Sequence, residues 1–278
     1  MAEALFLIIL GLIWLVIASI QDLKKREIPN WLSFSLILFA LAYRALYSSL
    51  SGNWMFFVFG LGGFVIFFGL AYLFYYGRIF AGGDAKLLMG IGAVLPISSY
   101  ILSNLVILSV FVLLFFFIGG VWGLGFSAFL VLRNRKKFSK EFLKQFKLRR
   151  NLVFLSLIFS IIILVLSIYF WQISFLILAL IVFLLPVLFI YAKVVEEAYM
   201  VQKINAKDLA VGDWLVEKVK VGRRTIKPYW EGLSEKEVKL IKKYKKEVTI
   251  KQGIPFVPSF LLAFIVLLLL RYLDIWSL

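Results

Sequence analysis

The sequence predicts an all-α polytopic membrane protein of about eight transmembrane helices, with a small α+β cytoplasmic insert before the last one. Three observations carry that expectation. Of the 278 residues 63% are hydrophobic, the apolar residues gather into long runs, and the cations gather between those runs on alternate sides. Soluble domains are only ~45–50% apolar, and a water-soluble chain of this length could not hide the surplus.

A spanning helix needs ~17–25 apolar residues. Runs of about that length lie at 4–21, 31–50, 54–76, 103–132, 152–170, 174–192 and 256–274. An eighth run, 85–100, is shorter and holds Pro96, so it reads as a short or kinked helix ending in the turn-like Pro96-Ile97-Ser98-Ser99. Glu3 is the only charge before the first run and basic residues follow it, unlike a cleaved signal peptide.

With alternating passes, the segments 22–30, 77–86, 133–151 and 193–255 share one face and hold 29 of the 31 Lys and Arg. Cations mark the cytoplasmic side, so both termini are expected outside. The two exceptions, Arg44 and Arg271, lie near the opposite helix ends, where their side chains are expected to snorkel outwards. The net charge of +16 then reflects orientation and attraction to an anionic inner leaflet of the lipid bilayer, and no nucleic-acid partner is expected. The expected organisation is a membrane core over 1–132, a basic cytoplasmic loop over 133–151, two helices in 152–192, a soluble insert over 193–255, and a last helix in 256–278.

Within the insert, 214–221 partly alternates and stops at Gly222, which reads as a strand. Ser234-Glu235-Lys236-Glu237 is a capping box, and Val238, Ile241, Tyr244 and Val248 then recur at helical spacing. A core of fewer than ~70 residues is marginal, so the insert is expected to lean on the membrane part as a covering or docking module.

The chain has no Cys and no His. Disulfides, thiol nucleophiles, Cys/His zinc sites and Ser-His-Asp triads are therefore excluded. There is no P-loop and no G-x-S-x-G elbow, and nothing in the spacing favours a Ser19–Lys86 dyad. The glycine clusters at 60–63 and 119–120 read as helix-packing surfaces.

Most of the 15 acids fall in loops or the insert, and Glu3 and Asp274 lie near the outer face. Two stand apart at helix ends on the inner face. Asp22 closes the first helix, at the negative end of its dipole; Asp84 opens the short fourth one, at the positive end, directly after Gly82-Gly83. The chain crosses and returns between them, so both meet the same membrane face. Nearby carboxylates do not both ionise cheaply, so such a pair shares one proton. An aspartic protease uses such a pair: one carboxylate takes a proton from the attacking water, the other gives one to the carbonyl oxygen and then to the leaving amine. Taken singly, each acid also reads as structural, Asp84 as an N-cap and Asp22 as the partner of a flanking Lys. Gly82 and Gly83 suit a tight turn, or the close approach of a substrate backbone.

Three segments at these positions resemble a known family, the membrane aspartyl proteases that process prepilins and archaeal preflagellins (prearchaellins). Asp22-Leu23-Lys24-Lys25-Arg26-Glu27-Ile28-Pro29-Asn30-Trp31-Leu32 resembles its first motif, an Asp ending one helix and I-P-N-x-L opening the next. Ala81-Gly82-Gly83-Asp84-Ala85-Lys86-Leu87 resembles its G-x-G-D motif, with Ala81 where the first Gly stands. Gly253-Ile254-Pro255-Phe256-Val257-Pro258 resembles the I-P-F segment before its last helix. The resemblance implies a catalytic dyad of Asp22 and Asp84, an active-site loop role for Gly82 and Gly83, and flanking roles for Pro29, Asn30 and Lys86. It also implies a membrane-inserted prepilin or prearchaellin substrate cut on the cytoplasmic face, and no metal or organic cofactor. Bifunctional bacterial members carry a Cys-rich zinc segment and methylate the new N-terminus; a chain without Cys is expected to act as a peptidase alone. The insert is more like archaeal members, which implies an archaeal source.

Two other classes share some of these features. Interfacial carboxylates, glycine-broken helices and a Pro-containing short span also occur in ion- or proton-coupled transporters, but a relay places ionisable groups across the bilayer and no acid here sits at a helix midplane. For an inactive assembly scaffold no residue pattern argues.

Overall fold

The computed structural model describes residues 2–222, 224–229 and 231–273. Asp274, placed near the outer face by its sequence, lies outside the described residues. Every one of the eight apolar runs forms a helix: α1 (Ala2–Lys25), α2 (Asn30–Ser51), α3 (Trp54–Tyr76), α4 (Gly82–Val94), α5 (Ile101–Arg133), α6 (Arg135–Phe170), α7 (Ile173–Val195) and, after α8 (Glu235–Tyr244) in the insert, α9 (Val257–Tyr272). Six of these are long and apolar enough to cross a bilayer by length and composition. The 13 residues of α4 and 16 of α9 extend about 20 and 24 Å, less than the ~30 Å hydrocarbon core. The chain is a multi-pass helical membrane protein.

It divides into two compact units, Met1–Gly125 with Ile254–Leu278, and Phe126–Gly253. In the first, the helices are apolar on both faces, as lipid requires. On α1, Leu5, Ile9, Ile13, Val16 and Ile20 are exposed along one face, while Leu7, Leu10, Leu15 and Ala18 are buried on the other. The buried face joins Leu36, Leu88, Phe111 and Phe260 in one core.

Arg44 corrects the sequence expectation most sharply. It does not snorkel: it is 0% exposed. Its Nε donates to Ala93 O at 2.9 Å, Nη1 to Phe56 O at 2.8 Å, and Nη2 to Val94 O at 3.2 Å and to Pro96 O. The last carbonyls of a helix have no intrahelical partner, and α4 ends inside protein, away from water. A guanidinium with five fixed donors meets several of them at once, and its charge suits the negative end of the helix dipole. Gly60 makes the room: a Cβ there would stand 2.1 Å from Arg44 Cδ.

In the second unit α6 packs on α7, with Ser160 donating to Ala179 O at 2.9 Å. The stretch expected to be a basic loop is the first half of α6. Lys, Arg, Glu, Leu and Phe without Gly or Pro favour helix, and Asn134 caps it by accepting from Lys137 N. A non-helical residue, Arg149 (φ −115°, ψ 17°), forms an elbow between the basic half and the apolar half.

A π-helical turn at Glu196–Met200 leads from α7 into the insert. There β1 (Val201–Asn205), β5 (Glu247–Lys251) and β2 (Trp214–Leu215) form an antiparallel sheet in the order β1-β5-β2, beside a hairpin of β3 (Val219–Val221) and β4 (Arg224–Ile226). The single strand expected over 214–221 is thus two strands in different sheets, because the chain bends at Val216–Glu217. The capping box at Ser234 and Glu237 is present. The helix it starts stops at Tyr244, and Val248 reaches the same core from β5. That core is the insert's own, built on Leu209, Leu215, Ile226, Ile241 and Ile250. It is tied to the helices of its unit by Lys251–Glu196 at 2.5 Å and by Tyr199 Oη donating to Asn134 O at 2.8 Å.

Candidate active site

Asp22 lies one turn before the end of α1. The helix stops where Arg26 turns left-handed (φ 56°) and its amide bonds Asp22 O at 2.8 Å, a single-bond αL cap. The chain then runs extended to Pro29 (φ −67°, ψ 140°), whose fixed φ leads into Asn30, the first residue of α2. The Asp22 side chain is 6% exposed. Its Oδ2 accepts the Val257 amide at 2.9 Å, the Phe256 amide is also within its reach, and Arg26 is the cation that acts on it. The N-cap of α9, Phe256, offers no side-chain cap. Asp22 therefore does for α9 what an N-cap carboxylate does for its own helix.

Asp84 is placed by the other end of a helix. After α3 the chain closes a Schellman turn, with Arg78 left-handed (φ 60°), Ile79 N on Phe74 O at 2.9 Å and Arg78 N on Tyr75 O at 3.0 Å. Phe80 then packs among Phe74, Phe115, Phe256 and Phe260, with ring centroids 5.0–6.2 Å away. The N-cap of α4 is Ala81 (φ −73°, ψ 162°), so Asp84 is the third helical residue and not the cap itself. It reaches back to the Ala81 backbone, half of a capping box. Gly82 and Gly83 correspondingly stand in the first turn of α4 and not in a loop, and neither has a positive φ. Gly83 permits a close approach: a Cβ there would stand 3.2 Å from Ile28 Cβ.

The two segments meet. The carboxylates of Asp22 and Asp84 are near enough to act on each other electrostatically. Lys86 Nζ donates to Asn30 Oδ1 at 2.7 Å, a second link between them. Asp22 is buried and Asp84 only partly so. Ser19 Oγ donates to Leu15 O at 2.7 Å within its own helix, and Lys86 is taken up by Asn30, so both members of the Ser-Lys alternative are engaged elsewhere. Sequence reasoning missed the aromatic cluster that seats Phe80 beside Phe256. It also missed Trp122, whose Nε1 donates to Pro255 O at 2.8 Å and holds the approach to α9. Residue spacing announces neither role. The signal available is aromatic density, with Phe115, Phe116 and Phe117 in a row on α5 and Phe256 and Phe260 around the start of α9.

Two carboxylates held at the ends of two helices define a multi-pass membrane protein with a paired-acid site. Residues 9–127, which include both acids, match the model of the type IV leader peptidase family. The chain is similar to the preflagellin peptidase of Methanocaldococcus jannaschii, 39% identical over 88 residues that make up 32% of this chain and 37% of that protein. It is 40% identical to the preflagellin peptidase of Methanococcus voltae over 87 residues, 31% of this chain and 37% of that protein. Against the preflagellin peptidase of Methanococcus maripaludis it is 35% identical over 152 residues, 50% and 65% of the two chains. The chain thus spans from 37% to 65% of the length of these relatives.

Proposed function

We propose that this chain is an aspartic endopeptidase that removes the leader (class III signal) peptide from membrane-inserted prepilin- or prearchaellin-like precursors. The observation that carries this reading is the pairing of Asp22 with Asp84 at the ends of α1 and α4. The pair holds one proton. The ionised carboxylate takes a proton from water as its oxygen attacks the scissile carbonyl carbon, and the protonated one gives its proton to the carbonyl oxygen. The tetrahedral diol then collapses: the C–N bond breaks, the leaving nitrogen receives a proton from one carboxyl group, and a diol hydroxyl returns its proton to the other carboxylate, so the pair again holds one proton. Two carboxylates and one water suffice for this sequence.

The cation distribution supports a cytoplasmic position for the pair, with both termini outside and an anionic inner leaflet around the basic segments. A precursor with basic residues before an apolar helix would stop at that depth. Its partners on this reading are that precursor and the bilayer, and no nucleic acid. The test is reconstitution of the purified full chain with prepilin-like and prearchaellin-like precursors, following their mass. Loss of the leader mass is the expected result; precursors left intact across several leaders would overturn the proposal.

A further inference from the structure

The first half of α6 has two faces. Phe138, Phe142 and Phe146 recur every fourth residue, and successive rings stack at 5.6 and 6.2 Å. Lys136, Lys137, Lys140, Lys144 and Lys147 fall in one arc on the other side. Glu141 is the only acid among the nine Lys and Arg from 133 to 150.

The elbow at Arg149 separates two arginines by fate. Arg149 is engaged: it donates to Gln145 Oε1 and lies over the Phe189 ring at 5.6 Å. Arg150 is exposed and, among the described residues, makes no hydrogen bond or ion pair. With Asn151 it borders a cleft of about 470 Å³ completed by Phe146, Val153, Phe154 and Leu157. Phe146 comes from the basic half and the other three from the apolar half, so the cleft lies in the elbow. Its polar end is where the spanning run begins, at the depth of lipid headgroups.

An occupant must bring an anion to Arg150 and a hydrocarbon chain to Phe154 and Leu157. We propose that the elbow of α6 binds one anionic phospholipid, its phosphate on Arg150 and Asn151 and one chain along Val153, Phe154 and Leu157. Charge complementarity selects the occupant: a zwitterionic lipid gains less beside so many cations, and a peptide helix with a basic leader would be repelled by them. The lysine arc concentrates anionic lipid near the elbow; Arg150 and the cleft select one molecule.

The test is native mass spectrometry of the full chain in non-ionic detergent with equimolar phosphatidylglycerol and phosphatidylcholine. The wild type is expected to retain phosphatidylglycerol in preference by about fivefold, the weight of one cation at an anionic surface. Arg150→Gln is expected to abolish that preference. Lys140→Gln, an equal charge change outside the cleft, is expected to keep it, and Phe154→Ala to lower retention of both lipids. Circular dichroism checks that each variant keeps its helices, and Asn151→Ala replaces Arg150→Gln if that variant fails to fold. Equal retention of both lipids by the wild type would overturn the site. So would equal loss in Arg150→Gln and Lys140→Gln, which marks diffuse attraction, or displacement of the lipid by soluble glycerol phosphate, which marks a site for a free anion.

Discussion

The Asp22 carboxylate accepts the Val257 amide at 2.9 Å, across 235 residues of chain. This bond brings the segment before the last helix to the first candidate acid. It also sets Asp22 at the positive end of α9, while the ring of Phe256 packs near that of Phe80 on the approach to α4. These two contacts thus relate three separate segments of sequence.

The first prediction separates structure from chemistry at Asp22. Asn keeps an oxygen for the Val257 amide and Ala does not. Asp22→Ala is expected to be about 1–3 kcal/mol less stable than Asp22→Asn, the cost of an orphaned buried donor, with neither cleaving precursor. Thermal unfolding in detergent gives the comparison, and equal stability would show that the bond contributes nothing.

Arg44 and Gly60 act as one unit. Arg44→Ala leaves the carbonyls at 56, 93, 94 and 96 without its donors, and a loss of about 3–5 kcal/mol is expected, since buried acceptors are orphaned and a large buried side chain leaves a cavity. Gly60→Ala drives a methyl into the Arg44 side chain and is expected to cost about 1–3 kcal/mol. Because the clash disappears with the arginine, the double variant should lose less than the sum. Additive losses would contradict the shared contact.

The Lys86–Asn30 bond is exposed, so its removal should cost under about 1.5 kcal/mol of stability. Its effect should fall on cleavage, since it links the segments that carry the two acids. Lys86→Met and Asn30→Ala are expected to slow cleavage by similar factors, with the double variant no slower than either. Multiplying effects in that cycle would show that the two residues act independently.

In the insert, burial raises Asp213 above its ordinary value of 3.8, against the Ala210 amide at 2.8 Å and the charge of Lys242. The folded state therefore holds this proton more tightly than the unfolded chain. Its contribution to stability is complete below the unfolded pKa and is lost as pH rises through the raised folded value. Asp213→Asn is expected to stabilise the insert near neutral pH and to give no advantage below the ordinary Asp value. Hydrogen exchange of the insert amides at the two pH values measures it, and an advantage that ignores pH would contradict the assignment.

The helices are legible in the sequence because lipid demands long apolar runs, and the two acids because few carboxylates stand at helix ends on the cation-rich face. The role of Arg44 is hidden there, since its partners are backbone carbonyls, which leave no side-chain signature. A lone cation inside an apolar run is still a cue to look for a buried partner. The basic half of α6 reads as a loop only when charge is weighed above helix propensity. Val248 fits a helical spacing, yet a strand presents it to the same core that a longer helix would reach.

The most direct measurement is cleavage of a reconstituted precursor by the wild type, Asp22→Asn and Asp84→Asn, each shown to be folded. The account predicts leader removal by the wild type and none by either variant. Cleavage that survives either substitution would contradict the paired-acid mechanism.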